Sequence, residues 1–143
     1  MQADERPEAA PRRVLIVEDN DLNLKLLRDV LEAHGYATAT AREGAAGLAL
    51  ARELHPDLIL MDLQLPDISG FDVVRQLKGD PATRAIPVVA VTAFAMAGDE
   101  RKALVSGCDG YVSKPIVLRS FMDVVTRFAG PPGSSPEGED RSA

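Results

Sequence analysis

The sequence predicts an α/β domain in which a five-stranded parallel sheet is doubly wound between helices. Three observations carry this expectation. Short aliphatic runs alternate strictly with segments of helical periodicity, five times in succession, and such alternation yields a parallel sheet with right-handed crossovers. The runs are apolar without a break, as in Val14-Leu15-Ile16-Val17, which suits strands covered on both faces. Four of the five then stop at a charged or hydroxyl residue, at the carboxyl edge where sheets of this class hold their ligands.

Taken in order, Val14 to Val17 form the first strand, closed by Glu18 and Asp19. Asp19 or Asn20 can cap a helix whose Leu24, Leu27, Val30 and Leu31 share a face until Gly35 ends it. Tyr36 to Thr40 supply a second strand. Glu43 to Leu54 form an Ala-rich helix that His55-Pro56 stops, because a residue before proline avoids the helical region. Asp57 to Met61 are the third strand, again closed by an acid, Asp62. A loop with Pro66 and Gly70 leads into a helix carrying Phe71, Val74 and Leu77. Ile86 to Val91 make the fourth strand, with Thr92 at its end, and Ala97 to Ser106 a weakly amphipathic helix ended by Gly107. Gly110 to Ser113 are the fifth strand, followed by Lys114. Leu118, Phe121, Met122, Val125 and Phe128 then keep the spacing of a packed helix.

A chain of 143 residues with 45% hydrophobic content supports one core. That core is expected over residues 13–129. Residues 1–12 and 130–143 are rich in Pro, Gly, Ser and charge and read as disordered tails. Lys and Arg total 16 against 22 for Asp and Glu, a net charge of -6, so the whole-chain field repels phosphate backbones and nucleic acid is not an expected partner. The longest apolar runs fall far short of the roughly 20 residues that span a bilayer, so no membrane association is expected. Residues 1–13 carry acids and prolines instead of a basic start and an apolar stretch, which argues against export and for a cytoplasmic location. Cys108, the only cysteine, allows no intramolecular disulfide and reads as a small buried apolar group. His34 and His55 each fall at the end of a helical segment, where an imidazole complements the dipole, and neither is read as a phosphohistidine.

Ligands of a doubly wound sheet bind where the strand order reverses, which in the order 2-1-3-4-5 lies between the first and third strands. That crevice would gather Glu18, Asp19 and Asp62, with Thr92 and Lys114 beside them. Three crowded carboxylates repel one another, and a hard divalent cation such as Mg²⁺ is the natural way to hold them ionised. A metal, a lysine and a hydroxyl around one carboxylate place positive charge and hydrogen bonds about a transferring phosphoryl group, with Asp62 as acceptor. Singly, each residue has a plainer explanation as a helix cap, a turn residue or a solvated charge. The set, at positions fixed by topology, points to phosphoryl chemistry.

Val14-Leu15-Ile16-Val17-Glu18-Asp19, the segment Asp57 to Pro66 with Gly70 after it, Val91-Thr92-Ala93 and Tyr111-Val112-Ser113-Lys114-Pro115 together resemble the response-regulator receiver family over about residues 12–129. The resemblance implies the flavodoxin and CheY-like strand order 2-1-3-4-5 and a role as a bacterial two-component or phosphorelay protein. It makes Asp62 the phosphoacceptor, Asp19 a direct Mg²⁺ ligand, Glu18 an acid acting largely through water, and the backbone carbonyl of Gln64 a further ligand. Thr92 and Lys114 would contact phosphoryl oxygens, the Lys114-Pro115 bond would be cis, and Tyr111 would be the aromatic switch. The donor would be a histidine kinase or a histidine phosphotransfer protein.

Val91 to Met96 and Ser113 to Ile116 resemble single-domain receivers of the DivK type and receiver modules of hybrid kinases. With 15 residues after Phe128 no output domain is expected, so the output would be binding of a downstream protein. Its place would be the face made by the helix over 97–106, the fifth strand and the last helix, the chain itself being a monomer or a phosphorylation-dependent dimer. Gln64 and Phe94 occupy positions that tune hydrolysis in this family, and an apolar Phe94 favours a long-lived phosphoryl state.

Two rivals share parts of this description. A flavodoxin-like cofactor binder would want Ser, Thr and Gly in the first loop, where Glu18-Asp19-Asn20-Asp21 offers carboxylates. A metal-dependent phosphohydrolase of the haloacid dehalogenase type would use the same aspartyl-phosphate chemistry, but it usually has a second Asp where Gln64 stands. The expectation is a phosphoaccepting signalling protein rather than an enzyme that turns over a substrate.

Overall fold

Parallel ladders join the apolar runs in the order that the family resemblance implied. The computed structural model describes residues 12–92 and 106–132. Within them β1 (Arg13–Val17), β2 (Ala37–Ala41), β3 (Leu58–Met61), β4 (Val88–Thr92) and β5 (Gly110–Ser113) form one sheet in the order β2-β1-β3-β4-β5. Every pairing is parallel, with Val17 level with Ala41 on one side and Met61 on the other. The helices are α1 (Asp21–Ala33), α2 (Gly44–Leu54), α3 (Gly70–Gly79) and α4 (Leu118–Ala129). The helix expected over 97–106 falls, except for Ser106, outside the described residues, as do Phe94 and residues 1–11 and 133–143.

Unbroken apolar strands are explained by the two cores that they separate. Leu15, Val17, Ile59, Met61, Val88 and Ala90 point to one face, where Leu48 and Ala51 of α2 and Phe71, Val74 and Leu77 of α3 cover them. Val14, Ile16, Leu58, Leu60, Val89 and Val91 point to the other, under Leu24, Leu27 and Leu31 of α1 and Phe121 and Val125 of α4. Successive residues of a strand alternate between faces, so both registers had to be apolar. Cys108 is buried, and burial pushes its thiol up to about 11, the behaviour of a packing group.

Several boundaries moved by a residue or two. Pro87 has no N–H to give a ladder, and the Ile86 N–H donates instead to Thr83 O (3.0 Å), so β4 begins at Val88. The Asp57 N–H donates to Arg13 O (2.8 Å), but the Arg13 N–H goes to the Asp57 side chain (2.8 Å) and not to a backbone carbonyl, and β3 begins at Leu58. Asn20, not Asp19, is the N-cap of α1, accepting from Asn23 N–H at 2.9 Å. His34 and His55 are the C-caps of α1 and α2, and the His34 Nδ1 lies 2.8 Å from Val30 O.

At the amino edge of the sheet the two ends of the described body meet. The Ala37 N–H donates to Arg12 O (2.8 Å) and the Tyr36 hydroxyl to Gly130 O (2.7 Å). Pro132 lies against Gly35, whose φ of +94° is open only to a residue without a side chain's constraint.

Candidate functional site

Glu18, Asp19 and Asp62 follow directly on the last residues of β1 and β3, the two adjacent strands at the switch point. Ladder hydrogen bonds carry on past the strand ends, from Glu18 N–H to Ala41 O and from Asp62 N–H to Val17 O, both 2.9 Å, so the acids are held by the sheet itself. One carboxylate oxygen from each of the three lies within 4.8 Å of the others. Glu18 and Asp62 are buried and Asp19 is exposed at the mouth.

Lys114, just past β5, reaches the same crevice. Its Nζ donates to Glu18 Oε1 at 2.8 Å and lies 3.8 Å from Asp62 Oδ2. The Asn20 N–H adds a second donor to Glu18, at 3.2 Å to Oε2. Asp62 accepts the Gln64 N–H through Oδ1 at 3.0 Å. Burial raises the Asp62 carboxyl to about 6, and repulsion from Glu18 adds to that, against the lowering effect of the Gln64 N–H and Lys114. One lysine thus serves two buried acids, and it sits closer to Glu18. An added divalent cation would meet the charge that remains, and oxygen donors of this kind suit Mg²⁺.

Thr92, the last residue of β4, is fully buried, and Tyr111 of β5 is half-buried against the core beneath α2 and α3. The Lys114 N–H donates to Thr92 O at 2.8 Å, which ties the ends of these strands together. The Lys114-Pro115 peptide is cis, as the resemblance implied.

The loop from Leu63 to Ser69 was legible only as a turn, and its anchors were missed. A Cβ on Gly70 would stand 2.4 Å from the Asp62 carbonyl oxygen and 2.6 Å from Leu63 Cα, so a bare glycine lets α3 start against the backbone of the site. At the outer end of the loop, Asp67 accepts the N–H groups of Gly44 (2.8 Å) and Ala45 (3.0 Å) through its two oxygens. These donors hold its carboxyl below the usual range. Glu43, the N-cap of α2, makes no side-chain cap bond. A helix opening without Ser, Thr, Asp or Asn at its cap was the one available signal that an acceptor had to come from elsewhere.

The family follows from the sequence: the chain belongs to the response regulator receiver domain family, whose model matches residues 14–126. It is 54% identical over 119 residues to the polar-differentiation response regulator DivK of Brucella ovis, covering 83% of this chain and 97% of that protein. Among solved structures, the receiver domain of sensor histidine kinase PA1611 from Pseudomonas aeruginosa PAO1 matches with a TM-score of 0.79 and 30% identity, over 85% of this chain and 99% of that one. That structure has a magnesium ion coordinated in its active site cleft. The chemotaxis protein CheY4 of Vibrio cholerae matches with a TM-score of 0.78 over 83% of this chain and 99% of its own, and at 24% identity it bears on the fold alone. No helix among the described residues is long and apolar enough to cross a membrane.

Proposed function

We propose that this response regulator takes a phosphoryl group from the phosphohistidine of a histidine kinase or histidine phosphotransfer protein onto Asp62, and passes the signal on by protein binding. The observation that carries this reading is the setting of Asp62: a buried carboxylate just past the end of a central strand, with two further acids and the Lys114 ammonium around it. A carboxylate oxygen of Asp62 forms the new O–P bond as the N–P bond of the donor imidazole breaks, and the imidazole keeps the electron pair. Asp19, Asp62 and the Gln64 carbonyl would hold Mg²⁺, with Glu18 acting largely through water. The ion would supply positive charge to the phosphoryl oxygens. Lys114 and the Thr92 hydroxyl would receive those oxygens on the other side.

Lys114 has a second duty in this scheme. It neutralises Glu18 before transfer and is close enough to Asp62 to turn toward the new phosphate, so the charge arriving at the site meets a cation already in place. The drawing-in of Thr92 would let the Tyr111 ring move inward and reshape the face that β5 and α4 share with the helix expected over 97–106, where a downstream protein would bind. Likeness to DivK supports a place in polar differentiation.

Reduction with borohydride converts an aspartyl phosphate to homoserine. After incubation with Mg²⁺ and acetyl phosphate or a cognate kinase, mass spectrometry should find homoserine at position 62; trapped label at any other residue, or none, would overturn the assignment. Asp19→Asn should raise the Mg²⁺ concentration needed for half-maximal labelling roughly tenfold or more, the size of effect that losing one charged ligand brings. An unchanged requirement would remove Asp19 from the metal's ligands.

A further inference from the structure

We propose that Asp67 is a positioning residue for the metal site, a tether that holds the loop carrying Gln64 in its binding shape; the inference rests on the reading of Asp62 and its metal given above. The loop is fastened at both ends. On the inner side the Gln64 N–H donates to Asp62 Oδ1 at 3.0 Å, and the Gly70 N–H donates to Leu63 O at 3.2 Å. On the outer side the carboxylate of Asp67 spans the first two N–H groups of α2, 2.8 and 3.0 Å away. Beside it Ile68 fills the notch at Gly44, where an added Cβ would lie 2.6 Å from Ile68 Cγ1.

Such a carboxylate serves two segments at once. For α2 it is a cap supplied by another part of the chain, in place of the bond that Glu43 does not make. For the loop it is the attachment that keeps residues 63–69 from fraying, since that stretch contains no helix or strand of its own. A backbone carbonyl makes a good ligand only where its direction is fixed beforehand, because a mobile loop must be ordered as the metal binds.

Loss of the tether therefore weakens metal binding on the order of tenfold, the cost of ordering about one backbone residue. The two duties of Asp67 can be separated. Asp67→Ala removes both. Adding Glu43→Ser to it gives α2 a cap from its own N-cap residue and leaves the loop untethered.

The experiment compares the parent, Asp67→Ala, Asp67→Asn and the double variant Asp67→Ala with Glu43→Ser. Each is read by calorimetric titration with Mg²⁺, by thermal unfolding, and by amide exchange of Gln64 and Gly70 in the metal-free protein. Asp67→Ala should bind Mg²⁺ about tenfold more weakly and exchange those amides faster, and the double variant should regain thermal stability without regaining affinity. Asp67→Asn, which keeps one acceptor but no charge, should lie nearer the parent; an equal loss in Asn and Ala would assign the effect to charge and overturn the tether. Equal affinity in the parent and Asp67→Ala, or affinity restored by Glu43→Ser, would overturn it as well. A parent that takes up no Mg²⁺ would instead defeat the metal reading on which the inference stands, while the exchange data would still report whether Asp67 holds the loop.

Discussion

Asp62→Asn should abolish phosphorylation and yet leave the metal-free protein more stable than the parent. An asparagine amide cannot form the acyl phosphate, so labelling is lost outright. The gain in stability follows from burial, which raises the native carboxyl to about 6, against roughly 3.9 in an unfolded chain. Below pH about 4 both states hold the proton and the difference vanishes. Between about 4 and 6 the unfolded chain releases its proton while the native protein keeps it, so stability falls as pH rises. Above pH about 6 the full cost is present, about two pKa units or on the order of 3 kcal/mol.

A neutral side chain of the same shape escapes that cost. In the absence of divalent ions at pH 7.5, denaturant unfolding should show Asp62→Asn more stable by about 2–3 kcal/mol, with the gap closing by pH 4. Millimolar Mg²⁺ should narrow it by stabilising the parent. A variant no more stable than the parent at pH 7.5, or a gap that persists at pH 4, would count against burial of the charged form as the source.

The second large effect concerns two alanine substitutions at opposite ends of α3. At Gly70 the new methyl would press on Asp62 O and Leu63 Cα, and backbone atoms cannot rotate away as a side chain's end can. Gly70→Ala should cost roughly 3 kcal/mol, at the upper end for overpacking. Because the atoms pushed aside belong to Asp62 and Leu63, Mg²⁺ uptake and labelling should fall with it. At Gly79 nothing lies within 4 Å of the added Cβ, and Gly79→Ala should be neutral or stabilising by up to about 1 kcal/mol through helix propensity alone. Equal effects of the two substitutions would show that propensity, and not the close approach to the site, governs Gly70.

What could be read in the sequence was what depends on period and position along one segment. The runs at Val14 to Val17 and Leu58 to Met61 announce strands with two covered faces, and the acids after them are placed at a switch point once the sheet is parallel. The choice of Asn20 over Asp19 as the cap of α1 depends on where the loop after β1 turns into the helix, and periodicity does not fix that to a single residue. Lys114 was placed near Asp62 by topology, but its shorter bond to Glu18 reflects side-chain reach across three strands. Asp67 on the first turn of α2 joins residues 22 and 23 positions apart. Nothing local marks such a pair beyond a helix that starts without a cap.

The meeting of Arg12 with Ala37, and of Gly130 with Tyr36, bears on how this domain can be rewired. Strands and last helix begin and finish at that edge, while every acid of the site lies at the opposite one. A short Gly and Ser linker between residues 12 and 130 would close the body into a ring, and new ends could be opened between the exposed Pro81 and Ala82, ahead of the buried Thr83, with the crevice undisturbed. Reporter domains fused at the joined edge would likewise leave the mouth at Asp19 clear, so a receiver of this build can be labelled, circularised or inserted into another protein without obstructing the approach to Asp62.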